Sequence, residues 1–472
     1  MKTRIAKLLI FFVCATVLFS NIPLSANAGS IAMDAGEWAG YWDEYVRDGK
    51  AVYLAPGSDD TEMRFAWLAP NNLYRPAVEV STKADMTGSV VFLGGYKVVT
   101  DDLHSAQVTA TGLETGTGYY YRCATGNITT PVQSFRTAAP EGFSAVYVTD
   151  IHISGETTAD EGVSSRALNL NNILGAALEK DADISLVVSG GDNANAGLLP
   201  EYIGLFASPV LKTIPFALSV GNHDANTANI KKVTNNPNLF KNSVSPAPLG
   251  GDYWFVKGNT LFLMIDSNNT SARDHYAFAG QAVAANPDVK WRVAVFHHDL
   301  YGGHSPNRES ENVLLRLLLV PIFDKFGIDL VLMGHSHISS RSHVLYGGKI
   351  SQNLEGLSTV RDARGTIYFV SGSANSPREA DGPGSKYVAF DYISSENTVY
   401  NIIRFGAESL TISSYVQGSD EAFDTFSIDK TSNNGGHPNN QVPFWYGIVS
   451  LLGTIYNSIS SIVRSIEYIA GE

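Results

Sequence analysis

Apolar residues in the middle of the chain occur in short unbroken runs, and these runs alternate with stretches of helical spacing. The runs cover residues 145–148, 184–189, 216–220, 261–265, 292–296 and 330–333. Such runs are typical of strands that are buried on both faces of a parallel sheet. Residues 164–178 and 312–326 instead repeat apolar side chains at the period of an α-helix. The alternation predicts a layered α/β domain over residues 143–430, with added β-structure after residue 365.

Before this domain, the pattern changes to short strands separated by turns. The candidate strands cover residues 63–67, 90–93, 105–110, 119–123 and 133–137. Spacers with Gly, Asn and Pro between short strands are typical of an all-β sandwich. The segment from Leu113 to Tyr121 resembles the tyrosine-corner segment of fibronectin type III domains. We therefore predict such a domain over residues 29–138, with residues 29–42 as a polar and aromatic lead-in.

Residues 1–28 have the pattern of a secretory signal. A basic start precedes an apolar run over residues 8–19, and Ala26 and Ala28 provide small residues before a cut at Gly29. The run is too short to span a bilayer, so the sequence predicts a secreted or extracytoplasmic protein. After the cut, Cys123 is the only cysteine left, so no internal disulfide is expected.

At the other end, residues 431–442 are predicted to be a polar linker and residues 443–472 an amphipathic helix. Apolar residues recur at spacings of four and three at Ile448, Leu452, Ile455, Ile459, Ile462, Ile466 and Ile469. A seam with this period predicts that the helix docks on the protein's own body, self-associates or lies on a membrane surface. The pattern leaves these three interpretations open.

The charge balance limits the classes of partner. The chain has 46 acidic against 33 basic residues and a formal net charge of -13. Nucleic-acid binding needs clustered Lys and Arg, so no nucleic-acid partner is expected from charge. A small phosphorylated substrate stays compatible, because bound metal ions supply positive charge locally.

Five polar patterns follow the apolar runs of the α/β domain in order. They are Asp150-Ile-His152, Gly191-Asp192-Asn193, Gly221-Asn222-His223-Asp224, His297-His298 and Gly334-His335-Ser-His337. Because the carboxyl ends of parallel strands meet at one edge of a sheet, these side chains are expected to converge. Carboxylate and amide oxygens together with imidazoles are the ligands that two adjacent metal ions require. The patterns therefore predict a two-metal site.

This series resembles the metal motifs of the calcineurin-like metallophosphoesterase family. With the fibronectin-like domain in front, the chain is most similar to the purple acid phosphatase branch, over about residues 45–430. The resemblance implies a four-layer α/β/β/α sandwich that holds two metal ions, of Fe, Zn or Mn. It implies these ligands: Asp150, His152 and His337 for the first metal, Asn222, His297 and His335 for the second, and Asp192 as the bridge.

The same resemblance implies four residues near the substrate. His223 is expected to contact the phosphate and protonate the leaving oxygen, with Asp224 orienting its ring. His304, in the segment after the fourth pattern, is expected to reach the substrate. Arg341, which follows the last pattern, has the same expected role.

The chain departs from the family pattern at two positions. Purple enzymes carry a tyrosine three positions after the bridging aspartate, where this chain has Asn195, so a colourless protein is expected. Asp299 replaces a proline in the segment after the fourth pattern. In that pattern His297 is the favoured ligand and His298 the alternative.

The expected activity is hydrolysis of phosphate monoesters by a hydroxide that the two metals activate. A phosphodiesterase or nucleotidase would use the same site with a different cleft, shaped by residues 154–163, 268–276 and 301–312. A third interpretation is a catalytically inactive surface-binding protein. It is disfavoured because none of the predicted ligands is missing.

Overall fold

The structure, a computed structural model, describes most of the chain between residues 31 and 456. The described ranges are 31–48, 51–71, 75–139, 142–241, 251–304, 309–432, 437–438, 446–448, 450–453 and 455–456. The predicted signal lies outside these ranges, as do most of the predicted C-terminal helix and much of the linker before it.

Residues 52–136 form the predicted all-β sandwich from two antiparallel sheets. One sheet has the order β1 (Val52–Pro56), β2 (Glu62–Pro70), β6 (Leu103–Thr111) and β5 (Gly95–Val98). The other has the order β4 (Val90–Leu93), β3 (Pro76–Ser81), β7 (Gly118–Thr125) and β8 (Ile128–Thr129), and β9 (Gln133–Arg136) also pairs with β7. Alternate residues of β7 are buried, as expected for a strand with one face in a core.

The tyrosine corner is present as predicted. The hydroxyl of Tyr119 accepts a hydrogen bond from the backbone N–H of Glu114 at 2.8 Å, which closes the segment before β7. Two positions after the last tyrosine of this segment, Cys123 is buried and forms no disulfide. Burial raises the pKa of its thiol, which disfavours the reactive thiolate form.

A helix that was not predicted begins within the lead-in and continues beyond it. Helix α1 (Ala35–Asp48) buries Trp38, Trp42 and Tyr45, at positions i, i+4 and i+7. The indole Nε1 of Trp38 donates to the backbone oxygen of Ser164 at 3.1 Å, in helix α2 (Glu161–Lys180). The lead-in thus packs on the α/β domain and extends its core.

Two seven-stranded mixed sheets form the α/β domain. The first sheet has the order β12 (Phe216–Leu218), β11 (Ile184–Ser189), β10 (Phe143–Val148), β23 (Val399–Phe405), β24 (Ser409–Val416), β25 (Ala422–Asp429) and β20 (Thr359–Arg361). The second has the order β13 (Tyr253–Lys257), β14 (Thr260–Met264), β15 (Trp291–Val295), β16 (Leu330–Met333), β21 (Ile367–Val370), β17 (Ser339–Ser342) and β22 (Val388–Tyr392). A two-stranded ribbon pairs β18 (Val344–Tyr346) with β19 (Lys349–Gln352).

The alternation of side chains along the strands explains the layers. In β10, Ala145 and Tyr147 belong to the core between the sheets, whereas Val146 and Val148 belong to the core under the helices. Helices α2, α3 (Leu199–Leu205) and α4 (Asn229–Val233) contribute to the core on the first sheet. Helices α5 (Ala272–Ala285) and α6 (Glu309–Phe326) cover the second sheet. The predicted α/β/β/α sandwich is therefore confirmed.

The topology brings the five polar patterns to one end of the two sheets. Strands β10, β11 and β12 run parallel in the first sheet, and β14, β15, β16 and β21 run parallel in the second. Each pattern directly follows the carboxyl end of one of these strands. Ligands in such sheets bind at this end.

The described part of the C-terminal tail docks on the body of the protein. The hydroxyl of Tyr446 donates to the backbone oxygen of Leu318 at 2.9 Å, and Thr270 donates to the backbone oxygen of Gly453 at 3.0 Å. The described residues of the predicted seam are not docked, since Ile448 is 63% and Leu452 59% exposed. Among the described residues, no helix has the length and apolar character that a membrane span requires.

Candidate metal centre

The first group of predicted ligands consists of Asp150, His152 and His337, and all three are buried. Nε2 of His337 lies 3.1 Å and Nε2 of His152 lies 3.8 Å from Oδ1 of Asp150. The two Nε2 atoms are 3.4 Å apart. The other carboxylate oxygen of Asp150 accepts hydrogen bonds from the backbone N–H of His335 and the hydroxyl of Thr149. Asp150 therefore presents Oδ1 to the centre.

The second group contains His297 and His335. Nε2 of His297 lies 3.0 Å from Nδ1 of His335. The other nitrogen of His297 donates to the backbone oxygen of Gly190 at 3.1 Å, and this hydrogen bond fixes the tautomer that leaves Nε2 as a ligand. Asn222 is half-buried, and its Oδ1 is a buried atom without a hydrogen-bond partner among the described residues.

Asp192 lies between the two groups. Its Oδ2 is 3.0 Å from Nε2 of His297, a predicted ligand of the second group, and 3.7 Å from Nε2 of His152, a predicted ligand of the first. Its Oδ1 accepts a hydrogen bond from the backbone N–H of His223 at 2.9 Å. One carboxylate oxygen thus faces both groups, which is the geometry of a bridging ligand.

The backbone under these side chains is strained. Of the eight non-glycine residues with positive φ in the described chain, five belong to the predicted ligands: Asp150, His152, Asp192, His335 and His337. Left-handed backbone at non-glycine residues costs energy and persists where surrounding structure over-determines it. Such residues collect at functional sites.

Hydrogen bonds from distant residues hold this strained backbone. The hydroxyl of Ser373 donates to the backbone oxygen of Asp150 at 2.7 Å, and Nδ2 of Asn375 donates to that of Ile151 at 2.9 Å. The guanidinium of Arg166 donates to the backbone oxygen of His152. These three residues were not predicted to support the site, because no local sequence motif marks them.

Two glycines of the patterns are required by close packing. A Cβ at Gly221 would lie 2.1 Å from Oδ1 of Asp192. A Cβ at Gly334 would lie 2.0 Å from the hydroxyl of Thr149 and 2.5 Å from Oδ2 of Asp150. Any side chain at either position would displace a ligand carboxylate.

Burial and neighbouring charges shift the pKa values of three predicted ligands. Burial opposes ionisation of Asp150, but the neighbouring histidines, His337 first, hold its pKa well below the usual range. Burial lowers the pKa of His152 to about 4, so this ring is neutral at physiological pH. For His297, burial is outweighed by the carboxylates of Asp192 and Asp150, which raise its pKa to about 9.

The donor set fits two cations. Buried ring nitrogens face one another in pairs, at 3.4 Å for His152 and His337 and at 3.0 Å for His297 and His335. Oδ1 of Asp150 and Oδ1 of Asn222 are buried without hydrogen-bond partners among the described residues. A cation in each group would satisfy these atoms, and mixed oxygen and imidazole ligands suit Fe, Zn or Mn.

His297, rather than His298, faces the centre. Nδ1 of His298 contacts the hydroxyl of Ser267 at 2.7 Å, and its Nε2 lies 3.4 Å from Glu311. The geometry therefore favours the predicted preference for His297.

His223 lies beside the predicted ligands, but its ring is oriented differently from the prediction. Its Nδ1 contacts the backbone oxygen of Asn195 at 2.6 Å, and its Nε2 lies 4.0 Å from Oδ2 of Asp192. Asp224 does not orient this ring: its two oxygens accept five hydrogen bonds, from Gly221, Asn193 (twice), Ala194 and Tyr202. Asp224 instead ties the second and third patterns together, and burial raises its pKa to about 6.

Arg341 does not reach the centre, contrary to the prediction. It is buried in β17, where its guanidinium pairs with Asp424 at 3.2 Å and lies 3.9 Å from the ring centre of Phe426. Both partners belong to β25 of the other sheet. The strand pairing turns this side chain into the protein interior, so Arg341 is a core residue.

His304 is buried, and its described contacts are not with the predicted ligands. Its Nε2 lies 3.5 Å from Oδ2 of Asp391, and a Cβ at Gly384 would lie 3.0 Å from its Cε1. The loop before it is organised by Asp299, whose carboxylate accepts from the backbone N–H groups of Tyr301 and Gly302 at 2.9 and 2.7 Å. Asp299, which replaces the proline expected from the resemblance, therefore stabilises the turn at Tyr301 and Gly302.

The sequence also matches two family models. Residues 144–339 match the calcineurin-like phosphoesterase model, and residues 50–137 match the purple acid phosphatase N-terminal domain. No curated protein is similar enough in sequence to count as a relative.

Two solved structures show the same fold. Purple acid phosphatase PPD1 from yellow lupin (Lupinus luteus) has a TM-score of 0.65 at 15% identity, over 83% of this chain and 77% of that one. The structure of PhoD has a TM-score of 0.53 at 13% identity, over 86% of this chain and 97% of that one. At these identities the likeness concerns the fold alone.

Fold and site together define a phosphoesterase of the two-sheet, metal-dependent class. Within that class, residues 144–339 are a calcineurin-like phosphoesterase domain, preceded over residues 50–137 by the N-terminal domain of purple acid phosphatases. Membership of this family implies a small phosphorylated substrate and a dinuclear metal centre.

Proposed function

We propose that the chain is an exported phosphomonoesterase that works with two metal ions. The observation that carries the proposal is the position of Asp192, whose Oδ2 lies 3.0 Å from a ligand nitrogen of one group and 3.7 Å from one of the other. A carboxylate shared in this way is typical of two-metal hydrolases.

In this proposal each cation has its own set of three side-chain ligands and shares a fourth. One would be held by Asp150, His152 and His337, the other by Asn222, His297 and His335, with Asp192 shared. When bound, such a pair neutralises the phosphoryl oxygens and lowers the pKa of a water, which supplies the nucleophile. The hydrogen bonds from Ser373 and Asn375 to the backbone of Asp150 and Ile151 keep the ligands of the first group in place.

His223 is proposed to protonate the leaving oxygen. Its side chain is 34% exposed, in contrast to the buried ligands, and its Nε2 faces the centre. In the protonated ring, Nδ1–H donates to the backbone oxygen of Asn195. Nε2 then holds the proton that the departing alcohol needs.

Leaving-group dependence tests this role. A His223→Asn variant should lose about 10²–10⁴-fold in kcat on an alkyl phosphate, the usual contribution of a general acid. The loss should be much smaller on 4-nitrophenyl phosphate, whose leaving group needs no proton. Equal losses on both substrates would contradict an acid role.

The activity itself is tested with the metal-loaded protein on aryl phosphomonoesters and bis-aryl phosphodiesters, before and after chelation. Faster turnover of the monoesters, abolished by the chelator, is expected. Preference for diesters would favour the phosphodiesterase or nucleotidase interpretation. Cleavage of neither would overturn both enzyme interpretations and favour the inactive surface-binding protein.

Export and colour are further parts of the proposal. Export rests on the pattern of residues 1–28, and mature protein from the extracytoplasmic fraction should begin at Gly29. An intact N-terminus on that protein would contradict the predicted cut. Because Asn195 stands at the position of the metal-binding tyrosine, the metal-loaded protein should lack the visible tyrosinate-to-iron absorption band.

A further inference from the structure

A third group of metal-ligating side chains adjoins the two-metal centre. This group, the Glu311 cluster, consists of His298, Glu311 and His335, and one ligand atom of each lies within 4.8 Å of the others. His298 and His335 are buried, whereas Glu311 is exposed on the first turn of α6. His335 belongs to both groups.

We propose that the Glu311 cluster binds a third divalent cation. Nε2 of His298 lies 3.4 Å from Oε1 of Glu311, and Nε2 of His335 lies 3.9 Å from Oε2. The second distance is too long for a hydrogen bond, and the first exceeds the usual range of about 2.7–3.2 Å. Two ligand atoms that are each about 2.1 Å from a tetrahedral cation are about 3.4 Å apart.

The same spacing occurs in the two-metal centre. There, Nε2 of His152 lies 3.4 Å from Nε2 of His337 and 3.7 Å from Oδ2 of Asp192. The Glu311 cluster therefore has the separations of a ligand set, with two imidazoles and one carboxylate, which suits a transition-metal ion with open positions for water.

The two rings are oriented for this task. Nδ1 of His298 lies 2.7 Å from the hydroxyl of Ser267, and in the tautomer in which Nδ1 donates, Nε2 directs its lone pair at Glu311. Nδ1 of His335 faces His297, so its Nε2 is the nitrogen on the side of Glu311. A His335 ring bound at both nitrogens releases its remaining ring proton to solvent, which two adjacent cations favour.

The third ion would add positive charge beside the site that is proposed to take a phosphate. This role of the ion rests on the proposed function. Because Glu311 is exposed, the ion has a route from solvent and water to complete its shell. Because His335 is shared, we expect loss of the third ion to weaken binding at the neighbouring position of the centre.

Zinc stoichiometry tests the third site. Protein is freed of metal, loaded with Zn²⁺ and dialysed, and bound zinc is counted by mass spectrometry. The wild-type protein should hold three zinc ions per chain and Glu311→Gln two. Glu309→Gln is the matched control, since it removes the same charge from the same helical turn, where Glu309 pairs with Arg316. That variant should keep three.

The outcomes separate this inference from the proposed function. Two zinc ions in the wild type, or three in Glu311→Gln, overturn the third site and leave the two-metal centre intact. A wild-type protein that binds no zinc overturns both. A His298→Gln variant, which should also hold two ions, replaces Glu311→Gln if thermal melting shows that the latter is unfolded.

Discussion

The Asp192–His297 contact and the Asp252–His275 contact are both short and buried, but their surroundings differ. Nδ1 of His275 lies 2.5 Å from Asp252, and its Nε2 contacts the backbone oxygen of Asn269 at 2.7 Å. Each nitrogen of that ring therefore has an oxygen acceptor. The inward nitrogen of His297 instead faces both a carboxylate at 3.0 Å and a second ring nitrogen at 3.0 Å.

The difference shows what distinguishes a metal-binding cluster from a structural ion pair. Burial and residue type are the same in both places. The structural pair satisfies its own donors and acceptors, whereas the predicted ligand cluster places several carboxylate oxygens and ring nitrogens around one space, an arrangement that a cation would balance. Backbone strain also separates the two, since five of the predicted ligands have positive φ and neither Asp252 nor His275 has.

Among the proposed substitutions, Asp192→Asn should have the largest effect, on metal binding and turnover. The amide keeps the size of the carboxylate but removes the shared charge, so both metals should bind weakly. We expect turnover to fall more than a thousandfold, which corresponds to about 4 kcal/mol. Metal content and kcat are measured together. Full metal content with wild-type turnover would show that Asp192 does not bridge.

His275→Gln tests the structural pair. The substitution leaves Asp252 buried without its charged partner, which should lower the free energy of unfolding by about 3–5 kcal/mol. Urea denaturation measures this change. Folded protein should retain its metals, and loss of metal from a folded His275→Gln variant would contradict the division into two kinds of cluster.

The pH dependence of stability sharpens the same point. Burial disfavours the charged ring of His275, but Asp252 outweighs it and raises the pKa from 6.5 to about 9. The raised pKa stabilises the folded state fully below pH 6.5, and this contribution is lost as the pH rises through about 9. The urea midpoint of the metal-free wild type should therefore fall over this range more steeply than that of His275→Gln. Parallel curves would contradict this assignment.

A smaller effect, on metal affinity, is expected when a hydrogen bond to the strained backbone is removed. Asn375→Ala removes the hydrogen bond to the backbone oxygen of Ile151, between two strained ligands. Loss of such an outer partner typically weakens metal binding about 10–100-fold. Competition with a chelator measures the affinity. Asn397→Ala, which alters an exposed asparagine outside the centre, is the control and should leave the affinity unchanged.

The residues of the site that could be predicted from the sequence are those that follow parallel strands. Asp150, Asp192, His297 and His335 each follow a parallel strand, and the carboxyl ends of such strands meet. Helix α1 was also predictable in principle, because Trp38, Trp42 and Tyr45 have helical spacing. Treating that segment as an irregular lead-in overlooked a periodic signal over one short helix.

The features of the site that could not be predicted depend on contacts between segments far apart in the sequence. Ser373 lies 223 positions from the Asp150 backbone that it holds. The direction of Arg341 depends on the position of β25, a strand of the other sheet. Local patterns carry no information on which strand covers a side chain, so the expected substrate contact of Arg341 was wrong.

The central claim is that two cations lie on either side of the Asp192 carboxylate. Anomalous X-ray diffraction from crystals of the metal-loaded protein tests it most directly. The account predicts two peaks about 3.5–4 Å apart on either side of this carboxylate, the usual spacing in two-metal sites, besides any peak from the proposed third site at His298, Glu311 and His335. One peak should lie among Asp150, His152 and His337 and the other among Asn222, His297 and His335. A single peak, or none within reach of Asp192, would contradict it.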